Sequence, residues 1–162
     1  MKIIKQTELN QEQKRQLFDL WNHEYPEKLS YQTVEDLEKY LENLREQTHY
    51  LLMNERGRLE GWAIIFTREK ERWFAIIIPE KLHGKGVGTR MLNELKKSEK
   101  ELNGWVIDHN LDIKTDRSFY KSPIEFYKKN NFKVISETRL ELQIMSAVKI
   151  KWRNNNKEKR TE

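Results

Sequence analysis

The sequence predicts a single α/β (α+β) domain: a mixed, largely antiparallel central sheet flanked by helices, with a parallel strand pair in its middle. Three observations predict it. Helical and strand periodicities succeed one another in mixed order, with helices early, a strand meander, two strand–helix units and a closing hairpin. One run, "WFAIII" at 73–78, is apolar throughout, as suits a central strand covered on both faces. The final segment alternates apolar residues with lysines, the two-residue period of a strand with one buried face.

Taken in order, "KIIKQ" at 2–6 reads as a first strand. Asn10, with Gln13 three residues later, reads as an N-cap pair, and Leu17, Phe18, Leu20, Trp21 and Tyr25 follow at helical spacing. Thr33 opens a second helix whose Val34, Leu37, Leu41 and Leu44 form one apolar stripe. "HYLLMNE" and "EGWAIIFT" read as two strands about the turn "ERGR". After "WFAIII", the residues Val87, Met91, Leu92, Leu95 and Leu102 mark a helix with Lys96, Lys97 and Lys100 on its solvent side. "GWVIDH" at 104–109 is a short strand, and "SPIEFYKKNN" at 122–131 a helix with Ser122 at the N-cap, Pro123 first and Glu125 third. Asn131 is suited to a left-handed cap. Two strands close the chain, with Ile144, Val148, Ile150 and Trp152 facing one way and Lys149 and Lys151 the other.

Composition limits the function classes. At 162 residues the chain fits one domain, and although 35% of residues are charged, 17 aromatic residues argue against disorder. With no cysteine, disulfides and thiolate metal sites are excluded, and no metal is expected. "MKIIKQTELN" lacks an apolar leader core, and no run approaches a membrane span, so a soluble, cytoplasmic protein without membrane partners is expected. The net charge of +5 sits mostly at the end, where residues 149–162 carry six Lys or Arg against two Glu. We therefore read one domain over 1–152 and a polar basic tail over 153–162, solvated rather than a nucleic-acid arm.

Three of the six glycines, Gly84, Gly86 and Gly88, fall within "LHGKGVGTR" at 82–90, between the apolar strand and a helix. Glycine permits left-handed dihedrals and close backbone approach, and free N–H groups at a helix start attract anions. Phosphate binding is the functional reading; a tight strand-to-helix turn needs only one glycine. The nucleotide P-loop and the dinucleotide fingerprint both fit poorly, since Lys85 lies between glycines with no Ser or Thr after it and the spacing is G-x-G-x-G.

The stretch instead resembles the acyl-CoA-binding motif of the GNAT family of N-acetyltransferases, [RQ]-x-x-G-x-[GA], with His83, Gly86 and Gly88 at its three named positions. A second stretch, "FYKKNNF" at 126–132, resembles the family's F-Y-x-K-x-G-F motif; Phe126, Tyr127, Lys129 and Phe132 match, and Asn131 stands where glycine is usual. The specific resemblance spans about residues 76–132. It departs ahead of the Phe-Tyr pair, where Tyr120 and Pro123 replace the usual Asn and Ala.

The resemblance implies a GNAT-like fold with a splayed parallel pair and acetyl-CoA as acyl donor. It implies that backbone amides from about Gly84 through Lys85, Gly86, Val87 and Gly88 to Thr89 hold the pyrophosphate, with His83 in the same cofactor-binding set. Ile76, Ile77 and Ile78 would pair with the pantetheine arm, an amide near Ile78 would donate to the oxyanion, and Lys129 belongs to the same motif. Tyr127 would donate a proton to the departing sulfur, and an amine of a small molecule or peptide would be the acceptor. For the base, Asp108 and His109 at the end of "GWVIDH", Glu80 past the strand, and water are the alternatives, the imidazole being the side chain that titrates near neutrality. Asp108 has a second reading, as an attractor of a cationic amine. Trp21, Tyr25, Tyr31 and Tyr120 line an acceptor pocket or cap the core, and Arg117 and Lys121 recognise an acidic group or are simply solvated. A homodimer is the assembly common in the family. The competing reading is a catalytically silent CoA-binding or CoA-sensing module.

Overall fold

The computed structural model describes residues 1–155; the remainder of the basic tail expected over 153–162 lies outside the described residues. The elements are β1 (Lys2–Gln6), α1 (Gln11–Glu24), α2 (Val34–Glu42), β2 (Arg45–Met53), β3 (Leu59–Arg68), β4 (Glu71–Ile77), α3 (Val87–Lys96), β5 (Glu101–Val106), α4 (Ile124–Lys129), β6 (Lys133–Glu141) and β7 (Ser146–Arg153). The seven strands form one sheet in the order β1-β2-β3-β4-β5-β7-β6. Every neighbouring pair is antiparallel except β4 with β5.

Local signals set the helix starts. Asn10 and Gln13 cap α1 reciprocally, the Asn10 side chain accepting the Gln13 N–H at 2.8 Å and the Gln13 side chain accepting the Asn10 N–H at 2.9 Å. Thr33 Oγ1 accepts the Asp36 N–H at the start of α2. The apolar stripes then decide which side of the sheet each helix covers. Leu17, Trp21, Leu37 and Leu41 of α1 and α2 pack with Leu51, Trp62, Ile64, Trp73 and Ile77 on one face. Met91, Leu92 and Leu95 of α3 pack with Leu52, Ile65, Phe74, Leu102, Tyr127 and Ile150 on the other. Along β4, Trp73 and Ile77 serve the first cluster and Phe74 the second, so this strand is covered on both faces as its uniform apolarity predicts.

A polar network crosses the first cluster. The fully buried Trp62 indole donates to His49 Nδ1 at 3.0 Å, His49 Nε2 meets Gln47 Oε1 at 2.7 Å, and Gln47 Nε2 donates to the Leu41 and Leu44 carbonyls at 2.7 and 2.8 Å. Side-chain donors thereby reach the last turn of α2 at Leu41, whose carbonyl also accepts the Leu44 N–H, and the chain just beyond it at Leu44. Burial pushes the His49 imidazole down to about 4, so the ring is neutral at neutral pH.

Several expectations are corrected. The helix after the glycines ends at Lys96, and Leu102 belongs to β5, which starts at Glu101 and stops at Val106, short of Asp108 and His109. Lys96 is half-buried, donating to the Asn130 carbonyl at 2.7 Å with its ammonium over the Phe132 and Trp152 rings. Ile144 is exposed in the β6–β7 turn because β7 begins only at Ser146. Pro123, not Ser122, is the cap residue of α4; the Ser122 N–H is taken by Asn110 Oδ1 at 2.7 Å, and Glu125 pairs with Lys128 instead of reaching back.

Candidate active site

The parallel pair is joined at one register position among the described residues, Trp73 opposite Asn103. Asn103, fully buried, fixes that position by donating to the Arg72 carbonyl at 3.0 Å and to Glu101 at 2.6 Å. Beyond it, the Phe74 ring lies against Gly104, where a Cβ would approach the ring to 2.9 Å. The two strands diverge past this ring. Ile76 to Ile78 therefore have no β5 partner in register.

The glycine loop follows directly. Gly84 and Gly86 adopt φ of +75° and +78°, and a Cβ at either would meet nothing within 4 Å, so their requirement is conformational and the space above them is open. Gly88 is different. It sits inside α3, where a Cβ would come within 2.8 Å of the Phe126 ring, so its requirement is contact with the second motif. His83 turns back to place Nε2 2.7 Å from the Ile78 carbonyl, tying the loop to the end of β4. Arg90 N–H is the first to bond within the helix, to the Gly86 carbonyl. The amides of Val87, Gly88 and Thr89 precede it at the positive end of α3. His83, Gly84, Lys85, Gly86 and Thr89 are exposed, as is Lys129 at the end of α4.

Tyr127 stands between these parts. Asn131 takes the left-handed conformation expected of it, φ 69°, and the Phe132 N–H bonds the Tyr127 carbonyl, turning the chain from α4 into β6. The Tyr127 ring lies 5.2 Å from Phe126, 5.8 Å from Phe74 and 5.5 Å from Phe132, all edge-on. One chain of rings thus runs from Gly88 at the helix start to Gly104 on β5. Burial, and secondarily Tyr120, push the Tyr127 phenol well above its ordinary range.

Asp108 accepts two hydrogen bonds from the Arg139 guanidinium, at 2.8 and 3.0 Å, and that pairing holds its carboxyl below the usual aspartate range. A carboxylate so committed is a weaker base than a free one, and the pairing ties the chain just past β5 to β6. His109 Nδ1 accepts the Leu111 N–H at 3.1 Å, which leaves the proton of the neutral ring on Nε2. That nitrogen lies 4.0 Å from Asp112 Oδ2. Glu80 is engaged too, its carboxylate 3.4 Å from the Lys114 ammonium.

Residues 110–121 form a small hairpin, bridged at Ile113 and Phe119, that docks on the end of α1. Glu27 N–H donates to the Ile113 carbonyl at 2.8 Å, and Thr115 Oγ1 to the Asn22 carbonyl at 3.3 Å. Arg117 pairs with Glu27. Beneath the hairpin, Tyr25 and Tyr120 face one another at 6.5 Å, both phenols pushed up by burial first, and Lys114 is buried between Glu24 at 3.8 Å and Glu80 at 3.4 Å. Trp21 is a core residue here, stacked among Tyr25, Tyr31 and Tyr40 with its indole donating to the Leu29 carbonyl. Of the residues singled out in the sequence, His83 of the glycine loop bonds Ile78, Tyr127 packs on Phe74 of the same strand, and Tyr25 and Tyr120 lie together beneath the hairpin. The sequence reading misses Phe74, Gly104, Glu24, Asp112, Lys114 and Arg139. For Gly104 a signal existed, since a glycine inside an apolar strand often marks close approach of another group.

Comparison with known proteins agrees with this geometry. The family model described as an acetyltransferase (GNAT) domain matches residues 46–134, more than half of the chain. The fold is similar to a crystal structure of aminoglycoside 6'-N-acetyltransferase complexed with coenzyme A, at TM-score 0.70 and 17% identity, covering 94% of this chain and 97% of that one. Aminoglycoside 6'-acetyltransferase type Ii is similar at TM-score 0.70 and 19% identity, with coverage of 94% and 97%. A single-residue mutant of the spermidine N-acetyltransferase SpeG from Vibrio cholerae is similar at TM-score 0.64 and 13% identity, with both chains covered completely. No curated protein matches the sequence significantly. The matched segment spans the open strand pair, the glycine loop and the Phe-Tyr helix together, and on that match the chain belongs to the GNAT acetyltransferase family.

Proposed function

We propose that the chain is an N-acetyltransferase that moves the acetyl group of acetyl-CoA to a primary amine, with Tyr127 as general acid. The observation that carries this reading is the succession of three features: left-handed glycines at a helix start, a strand pair open just before them, and a buried tyrosine packed edge-on against Phe74, the ring at which the strands part. The pyrophosphate is held by the amides of 84–89, aided by the α3 dipole, in the open space above Gly84 and Gly86, while the His83 amide is engaged by the Glu80 carbonyl. The pantetheine arm lies along Ile76 to Ile78, where β4 has main-chain groups to offer. This supports an oxyanion donor near Ile78, as the family resemblance implies.

Attack by the neutral amine on the thioester carbonyl breaks the carbon–sulfur bond and leaves charge on sulfur. A phenol whose pKa is raised by burial stays protonated at neutral pH; it donates a hydrogen bond to the departing sulfur and passes its proton to it as the carbon–sulfur bond breaks, and water then reprotonates the phenolate. The acceptor amine must shed a proton, because an alkylammonium titrates near 10.4 and has no lone pair at neutral pH. With Asp108 held by Arg139 and the His109 Nδ1 lone pair accepting the Leu111 N–H, that proton leaves to water.

A panel of amines that includes an alkylamine, a diamine, a triamine and an aminoglycoside, incubated with acetyl-CoA while free thiol is followed, tests the activity. Release with at least one amine is expected, and Tyr127→Phe is expected to lower kcat about 100-fold, the usual worth of a positioned acid. Acetyl-CoA that raises Tm without any amine being acetylated would favour the silent CoA-binding module. Tyr127→Phe with full turnover would remove the acid assignment alone.

A further inference from the structure

Asp112 is 7% exposed, and its Oδ2 is buried without a hydrogen-bond partner among the described residues. A buried carboxylate oxygen left unbonded is costly, and such atoms mark places where a group is meant to arrive. Around it the charges do not cancel. Asp112 and the Glu24 carboxylate are both about nine-tenths buried, and Lys114 is the one comparably buried cation among their ion-pair partners. Of their other partners, His23 meets Glu24 at 2.7 Å, His109 Nε2 stands 4.0 Å from Asp112 Oδ2, beyond hydrogen-bond reach, and Lys28 places its ammonium 3.4 Å from Oδ1 on a side chain 60% exposed. An alkylammonium that reaches in from solvent to the buried carboxylate is already present, supplied by the chain itself. The surroundings suit one: Tyr120 bonds the Asp112 main chain through its N–H, and its ring faces Tyr25. Two residues beyond Tyr120, Ser122 bonds Asn110 and the Ile107 carbonyl and leads directly into α4, the helix that carries Tyr127.

We propose that Asp112 is a specificity residue that seats a second cationic group of the acceptor, displacing Lys28, so that the favoured acceptors are diamines or polyamines over monoamines. This rests on the acetyl-transfer reading above. The second nitrogen follows from charge: an ammonium paired with a carboxylate is held in its protonated form and cannot be the nucleophile, so the reacting amine is another nitrogen of the same molecule.

The test compares 1,4-diaminobutane with n-butylamine, by kcat/KM with acetyl-CoA and by calorimetric titration into the CoA-loaded full chain. The wild type is expected to favour the diamine. Asp112→Asn is expected to reduce that preference on the order of 10–100-fold through KM, with kcat for the diamine and affinity for CoA changing far less. Lys28→Met, which removes the internal competitor, is expected to tighten diamine binding severalfold, a direction that a merely structural pair would not produce. Equal wild-type preference for the two amines, or a preference that survives Asp112→Asn, overturns the assignment and leaves acetyl transfer standing. Diamine binding that depends on Asp112 in a chain that acetylates nothing supports the seat while the parent reading fails.

Discussion

Gly88→Ala tests whether the two motifs form one mechanical unit. The added methyl would stand 2.8 Å from Phe126 Cζ and 3.0 Å from Cε1, against an ordinary carbon–carbon contact of about 3.5–4.0 Å, so ring or helix must retreat by roughly 0.7 Å. The ring has little freedom to give, because it lies 5.2 Å from Tyr127, which is itself enclosed by Phe74 and Phe132. Overpacking of this kind costs about 1–3 kcal/mol, and removing a glycine from a helix returns up to about 1 kcal/mol. The net expectation is a loss of about 1–2 kcal/mol, which for a domain of this size is a fall in Tm of roughly 2–8 °C. Differential scanning calorimetry of four proteins, wild type, Gly88→Ala, Phe126→Leu and the double variant, isolates the contact. Leucine in place of the ring should make room for the methyl, so the double variant should be more stable than additivity predicts by about 1 kcal/mol. A Gly88→Ala protein as stable as wild type, or strictly additive variants, would refute the packing explanation and return Gly88 to a purely ligand-related role.

Gly86→Ala forces a left-handed alanine into open space, so it should cost about 1–2 kcal/mol and raise KM for acetyl-CoA; Gly86→Asn, which tolerates that conformation, should cost less, as urea titration and initial rates would report. His49 supplies a pH dependence. Its folded-state pKa, about 4, lies below the unfolded value near 6.5, so the unfolded chain binds the extra proton between these limits. The stability it contributes is complete above pH 6.5 and is lost as pH falls toward 4, about 3 kcal/mol in all. The difference in unfolding free energy between wild type and His49→Gln should therefore change with pH inside that window and be flat above it; a difference that stays constant from pH 7 to 4 would remove the neutral-histidine network from the account.

Elements whose evidence is local are legible in the sequence. The capping pair at Asn10 and Gln13, the Thr33 start, the left-handed Asn131 and the doubly covered β4 each follow from residues a few positions apart. Leu102 reads as helical because it falls seven residues after Leu95, two helical turns on, with no glycine or proline between to end the helix. The acceptor side is nearly invisible for a different reason. Lys114 meets Glu24 and Glu80, and Asp108 meets Arg139, only after the sheet brings distant segments together, and a charged residue in a polar loop looks the same in sequence whether it is buried or wet. The same holds for Gly88, whose partner Phe126 lies on another helix.

The lone stitch at Trp73 and Asn103 has a consequence for how the molecule protects itself. A strand rim with unsatisfied main-chain groups is ordinarily an invitation to foreign chains, and proteins blunt it with charge, proline or a covering element. Here the part of β4 beyond Trp73, without a β5 register partner among the described residues, faces inward toward the β5-β7-β6 leaf. A rim placed in the middle of its own sheet is walled by its neighbours and is not offered at the sheet's outer edges, which are β1 and β6.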